Sequence, residues 1–365
     1  MRILVPLCLL IFLVACESTQ EEADKLEYEL VLVDSIQFDG DYEMPSIVAT
    51  HPQTDELMVL AYQGGESFIL IVDTNGSIKQ EFKYPTEGPS SVGEGLMSAT
   101  YFRDGYAIMG RAAIGIYNKQ FEITKRIAIT LAMPMVTFNH TRHLQTIEKN
   151  GKEQLLFHFS PEGNYTIDDP EFYQNYNPLT ILDVEEEHFQ AYGSLHEASL
   201  YLQGSKWLMI RPLFSVKNQE THLAFISDTV SYVFDEMGNE ARRAKIPFDK
   251  FVHHVAIPED APPKGTYGRI MSYIHHEGLD IWEYLPGLSA SEKSNMVENG
   301  PNPNTKRIMI SKNGEALGAP FELPERVSYL NLVDKDGFIW APQNVYALEE
   351  EPERNTLYKL EIQTK

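Results

Sequence analysis

A chain of 365 residues with a formal net charge of −23 repels polyanions, and its scattered lysines and arginines form no basic stripe; nucleic acid is therefore excluded as an expected partner. Hydrophobic residues at 43% and aromatics at 11% exclude a disordered chain. Both cysteines, Cys8 and Cys16, lie at the extreme N-terminus, so no disulfide, redox pair or thiolate metal site is expected in the folded part.

The chain opens with a targeting pattern. Arg2 supplies a positive charge, and Ile3 to Val14 forms an apolar core too short for a stable membrane span. It ends in Leu13-Val14-Ala15-Cys16, which matches the lipobox of bacterial lipoproteins. Residues 1–15 are thus expected to be a signal peptide, with Cys16 lipidated as the membrane tether. Residues 16–26 read as that lipidated Cys and a polar, acidic linker. Its acidic run resembles the surface-export signal of Bacteroidota lipoproteins, which implies an outer-membrane address with surface exposure.

From residue 27 the pattern becomes period-2 and stays so, predicting a single all-β domain over 27–365. Tyr28 to Val33 reads as an unpaired first strand. The clearest unit follows at Phe68 to Pro89. Here an apolar run reaches Asp73-Thr74-Asn75-Gly76 and an alternating run leaves it, a strong hairpin signal. Comparable turns recur at Asn118, Asp183, Asp235 and Asn313, and the shortest interval, 45 residues, is that of a four-stranded propeller blade. Longer intervals coincide with Pro-rich and polar insertions.

The expected inner strands of blade four are Ser199 to Gln203 and Lys206 to Arg211. Blade five is expected to begin near Phe251, and no long amphipathic helix is foreseen. Blade six has three strands of its own, at Val327 to Val333, Phe338 to Pro342 and Leu357 to Ile362. The orphan N-terminal strand completes it, leaving no open edge. The expected architecture is therefore a six-bladed β-propeller of four-stranded antiparallel blades, closed by pairing the N-terminal strand with the C-terminal blade.

Glu87-Gly88-Pro89-Ser90-Ser91-Val92-Gly93, the Asn118 hairpin and the lipobox together resemble an uncharacterised family of Bacteroidota lipoproteins with six-bladed propellers. The resemblance spans the mature chain and implies architecture; it brings no catalytic residues.

Chemistry-bearing patterns are sparse. His253-His254 and His275-His276 offer imidazoles near Glu277 and Asp280, but neighbours on a strand point to opposite faces and no helical metal motif accompanies them. Structural histidines are expected, with no metal and no cofactor. Asp334-Lys335-Asp336-Gly337 starts like a calcium loop, yet its twelfth position is Val345. No Gly-x-Ser-x-Gly elbow occurs. Asp34-Ser35-Ile36 and Asp228-Thr229-Val230 match a short bacterial O-glycosylation pattern.

Aromatics are the most suggestive surface feature. The insertion 160–178 carries Tyr165, Tyr173 and Tyr176, which either contact a ligand at the rim or pin the loop to its blade. The expected role is a non-enzymatic binding or scaffold module for an envelope protein or glycan partner. The alternative is a hydrolase or lyase acting on polysaccharide in the central channel. Arg211, His254, Arg269, His275 and Trp282 are the candidate channel or ligand contacts for either role.

Overall fold

Blades one, two, four and six share the same local turn chemistry. Asp73 Oδ1 accepts the backbone N–H groups of Asn75 and Ser77, both at 2.9 Å. Asn118 does the same for Gln120 and Glu122, Asp235 for Met237 and Asn239, and Asp334 for Asp336 and Phe338. These side chains satisfy amides that the strand ladder leaves unpaired, so an Asp or Asn at the head of the turn reverses the chain there. Gly76, Gly238 and Gly337 take the positive φ that the fourth turn position requires.

The computed structural model describes residues 27–93, 95–129, 144–158, 172–203, 211–253, 265–299, 304–348, 350 and 352–364. They form six four-stranded sheets. Five are simple antiparallel meanders within residues 43–83, 96–128, 144–192, 212–245 and 269–316. The sixth has the order Tyr28–Phe38, Asn355–Thr364, Ile339–Pro342, Leu332–Val333. The innermost strands of successive blades, Leu332–Val333 in blade six, touch in a closed ring, which makes the assembly a six-bladed β-propeller.

The N-terminal strand pairs antiparallel with the last strand from Tyr28↔Thr364 to Phe38↔Asn355. It sends Leu30 into the seam between blades five and six, and Ile36 and Phe38 into the seam between six and one. Similar apolar clusters fill the other four seams. Stability therefore comes from packing between blades as much as from ladders within them, at about 25 cal/mol per Å² of apolar surface covered.

Three expectations are corrected. The inner strands of blade four are Pro212–Lys217 and Glu220–Phe225, one segment later than expected. They join through Asn218-Gln219, both at positive φ, a hairpin turn without the glycine that usually announces it. Ser199 instead caps the 3-10 turn Leu200–Leu202 and donates its hydroxyl to the buried Asp228 carboxylate at 2.6 Å. Residues 251–253, where blade five was expected to begin, form no strand; its first strand is Arg269–His276. An α-helix, Ala290–Asn299, occupies the connection after the second strand of blade five. A capping box starts it, with Glu292 accepting the Ser289 N–H at 2.8 Å while Ser289 Oγ accepts that of Glu292 at 3.3 Å.

Candidate functional site

The innermost strands all run the same way through the ring, so the turns that lead from them to the next strands outward share one face. On that face a cleft of about 460 Å³ opens across blades one to three. His51 and Glu56 border it from the first turn of blade one, Tyr101, Arg103 and Tyr106 from that of blade two, and Glu153 from blade three.

Local structure fixes each wall. His51 Nδ1 accepts the N–H groups of Gln53 and Thr54, which places its proton on Nε2, and the ring stands edge-on to Tyr101 at 4.8 Å. Tyr106 donates to Gln80 Oε1 at 2.8 Å and lies flat on Phe121. Arg103, at positive φ, donates its backbone N–H to Glu153, and its guanidinium pairs with Glu185 of blade three. Tyr101 is 9% exposed, and its hydroxyl has no hydrogen-bond partner among the described residues. Burial first, then the Glu56 charge and Tyr106, hold that phenol far above its ordinary pKa, so it remains a neutral donor. A buried hydroxyl left unpaired costs on the order of 1–3 kcal/mol until something bonds to it.

A second constellation lies near the same face, between blades four and five. His222 comes from Glu220–Phe225, His275 from Arg269–His276, and Asp280 from Leu279–Leu285. The two imidazoles stack at 3.5 Å between centroids with planes 11° apart. His275 Nδ1 lies 2.8 Å from Asp280 Oδ1, which also accepts the Tyr273 hydroxyl at 2.9 Å. His222 is 1% exposed, and its Nδ1 has no partner among the described residues. Burial, followed by the neighbouring His275 and Arg242, pulls its pKa down to about 3. Its 3.6 Å approach to Glu220 is therefore no ion pair at neutral pH. Ligand atoms of His222, His275 and Asp280 all lie within 4.8 Å of one another. A cavity of about 130 Å³ adjoins them.

On the opposite face, near the axis, Tyr329 donates to Ser46 Oγ at 3.4 Å and acts electrostatically with Arg211 of blade four. Beneath them Glu283 has no solvent access. It accepts the Leu330 N–H at 2.8 Å and has the Lys306 ammonium 3.5 Å from Oε1.

Of the residues expected from sequence, His275 enters a constellation and Arg211 reaches the axis, where it is buried. Arg269 is exposed at the start of its strand. Trp282 is interior and engaged within its own blade: it is 1% exposed, donates to Ser311 Oγ and stacks on Tyr273 at 4.2 Å. Tyr173 and Tyr176 are likewise interior, because their rings fill the seam between blades three and four, as the loop-pinning alternative required. His254 and Tyr165 lie outside the described residues. Thr229 is buried, which leaves exposed Ser35 as the accessible member of the two glycosylation patterns.

His275 and His276 do face opposite ways. A Cβ on Gly337 of blade six would sit 2.9 Å from His276 Nε2, which places that ring in the other seam. Sequence reading named Asp280 near His275, and the two do meet, but it missed His222 and the cleft. Tyr101 and Tyr106 flanking the Arg103-Asp104-Gly105 turn were the available signal for the cleft; His222 had none, because its partners are on another blade.

No family model and no curated protein matches the chain. Among solved structures, it is similar to a member of the DUF4221 family from Bacteroides vulgatus. That likeness has a TM-score of 0.63 and 11% identity, and covers 93% of this chain and 100% of the other. It is also similar to a candidate exported protein from Bacteroides fragilis, with a TM-score of 0.56 and 14% identity, covering 95% and 98%. At these identities the likeness establishes a shared propeller fold. It agrees with the resemblance read from the sequence, and both neighbours come from Bacteroides.

Proposed function

We propose that the protein is a lipid-anchored propeller of the bacterial cell envelope that binds a glycan, without turning it over, in the cleft across blades one to three. The observation that carries this reading is the Tyr101 hydroxyl, buried and unpartnered among the described residues at the edge of a cleft walled by aromatic rings. Sugars present what this wall lacks: hydroxyls for a buried phenol and apolar C–H faces for rings. Carboxylates of Glu56 and Glu153 accept sugar hydroxyls, and His51 offers its Nε2 proton.

The envelope address rests on Cys16 and its lipobox. The candidate exported protein among the structural neighbours supports the same compartment. Metabolic labelling with a palmitate analogue, compared with Cys16→Ala, tests the anchor; equal labelling of both would remove it. The binding claim is tested by incubating the purified protein with a panel of neutral oligosaccharides, then measuring retention by co-sedimentation and chain length by mass spectrometry. Retained, uncleaved oligosaccharide is the expected result. Shortened products would put the hydrolase or lyase reading in its place.

A further inference from the structure

Against the sequence expectation of no metal, we propose that His222, His275 and Asp280 form a site for a borderline divalent cation such as Zn²⁺, between blades four and five. Two imidazoles and a carboxylate are the donor set such ions take, with remaining positions left to water. All three side chains stand on strands of adjoining blades, close to the turns of one face. Strand placement holds ligands more firmly than loop placement.

Two features of the arrangement point to a ligand. His222 Nδ1 is buried with no hydrogen-bond partner among the described residues, in a residue 1% exposed. The imidazole pair also has an unfavourable geometry. Centroids 3.5 Å apart with planes 11° apart form a face-to-face sandwich, whereas aromatic rings on their own prefer offset or edge contacts. A shared cation accounts for both, since it occupies a lone pair and gives the two rings a reason to be neighbours.

Parallel rings point their in-plane lone pairs side by side, so capture turns one imidazole about its Cβ–Cγ bond. His275 is the ring with space: it borders the 130 Å³ cavity and is partly exposed. Asp280, now 2.8 Å from His275 Nδ1, either joins the cation directly or holds His275 through that proton; both arrangements recur in histidine metal sites. Tyr273 orients the carboxylate from its other side. Arg242 and Arg243 also line the cavity, and their charges are offset by pairing with Glu220 and Glu240.

The test is titration of the purified, metal-stripped protein with Zn²⁺ by calorimetry, and with Co²⁺ by visible absorption. One equivalent should bind, with Co²⁺ bands of a nitrogen- and oxygen-ligated ion. His275→Ala and Asp280→Asn should each weaken binding at least tenfold while melting, in chelator, close to the parent. His188→Ala, an exposed position on blade three, should leave binding unchanged. Absence of binding, or binding that survives both His275→Ala and Asp280→Asn undiminished, overturns the proposal. Neither result bears on the glycan cleft, which lies across other blades.

Discussion

Phe121 lies flat on Tyr106, with ring centroids 4.3 Å apart and planes within 13°, and its other face meets Phe82 at 4.6 Å. It does so from a backbone φ of 58°, at the turn position where Gly76, Gly238 and Gly337 stand in other blades. Blade two thus accepts a strained residue in order to place a ring under the wall of the cleft.

That trade predicts an inverted ranking of substitutions. Phe121→Ala loses the stack and keeps the strain, whereas Phe121→Gly loses the stack and relieves it. Phe121→Ala should cost about 2–3 kcal/mol, and Phe121→Gly about 1 kcal/mol less. Urea unfolding of both variants checks this; alanine proving the milder change would show that the φ at residue 121 stores no strain.

The ring was legible in the sequence because its cause is local. Asp73, Asn118, Asp235 and Asp334 reverse the chain with their own side chains, and the strands on either side alternate clearly. Blade four was misplaced where this chemistry fails, at Asn218-Gln219, and where Ser199 serves a 3-10 turn instead of a strand. The capping box at Ser289 and Glu292 was readable and overlooked. The sites were far less legible. His222 and His275 are joined only by the contact of two blades, and whether Tyr173 or Tyr101 faces a ligand depends on seams that no local pattern records.

Closure of the ring makes the N-terminal strand a structural requirement. Removing residues 27–38 exposes the last strand as an open edge and uncovers the seams that Leu30, Ile36 and Phe38 fill. The loss should be roughly 5 kcal/mol or more at about 1.5–3 kcal/mol for each buried side chain, a large part of the stability of an ordinary domain. The truncated chain should aggregate or melt far below the parent in circular dichroism. A melt within a few degrees of the parent would mean that the strand is an accessory.

Glu283 gives the fold a pH dependence of definite sign. Burial raises its carboxyl from 4.5 to about 6, with Lys306 and the Leu330 N–H opposing the rise. Between those values the folded state holds more protons than the unfolded chain, so this contribution falls as pH rises and is fully lost above about 6. The loss amounts to about 2 kcal/mol, since each pH unit separating the folded and unfolded values is worth ~1.4 kcal/mol. Glu283→Gln keeps an acceptor for Leu330 and should flatten the decline in stability between pH 4.5 and 6. Denaturant melts at several pH values decide it; an unchanged slope would assign the decline to other groups.

The measurement that tests the central claim most directly is calorimetric titration of the best-retained oligosaccharide into the parent and into Tyr101→Phe. Removing one oxygen leaves the ring and its packing in place, so the fold should melt unchanged or slightly higher, because an unpaired buried hydroxyl is gone. Affinity should fall at least tenfold, because the lost hydroxyl leaves a sugar group without its buried partner. Equal affinity for the two proteins would contradict the account and place the binding surface away from the cleft.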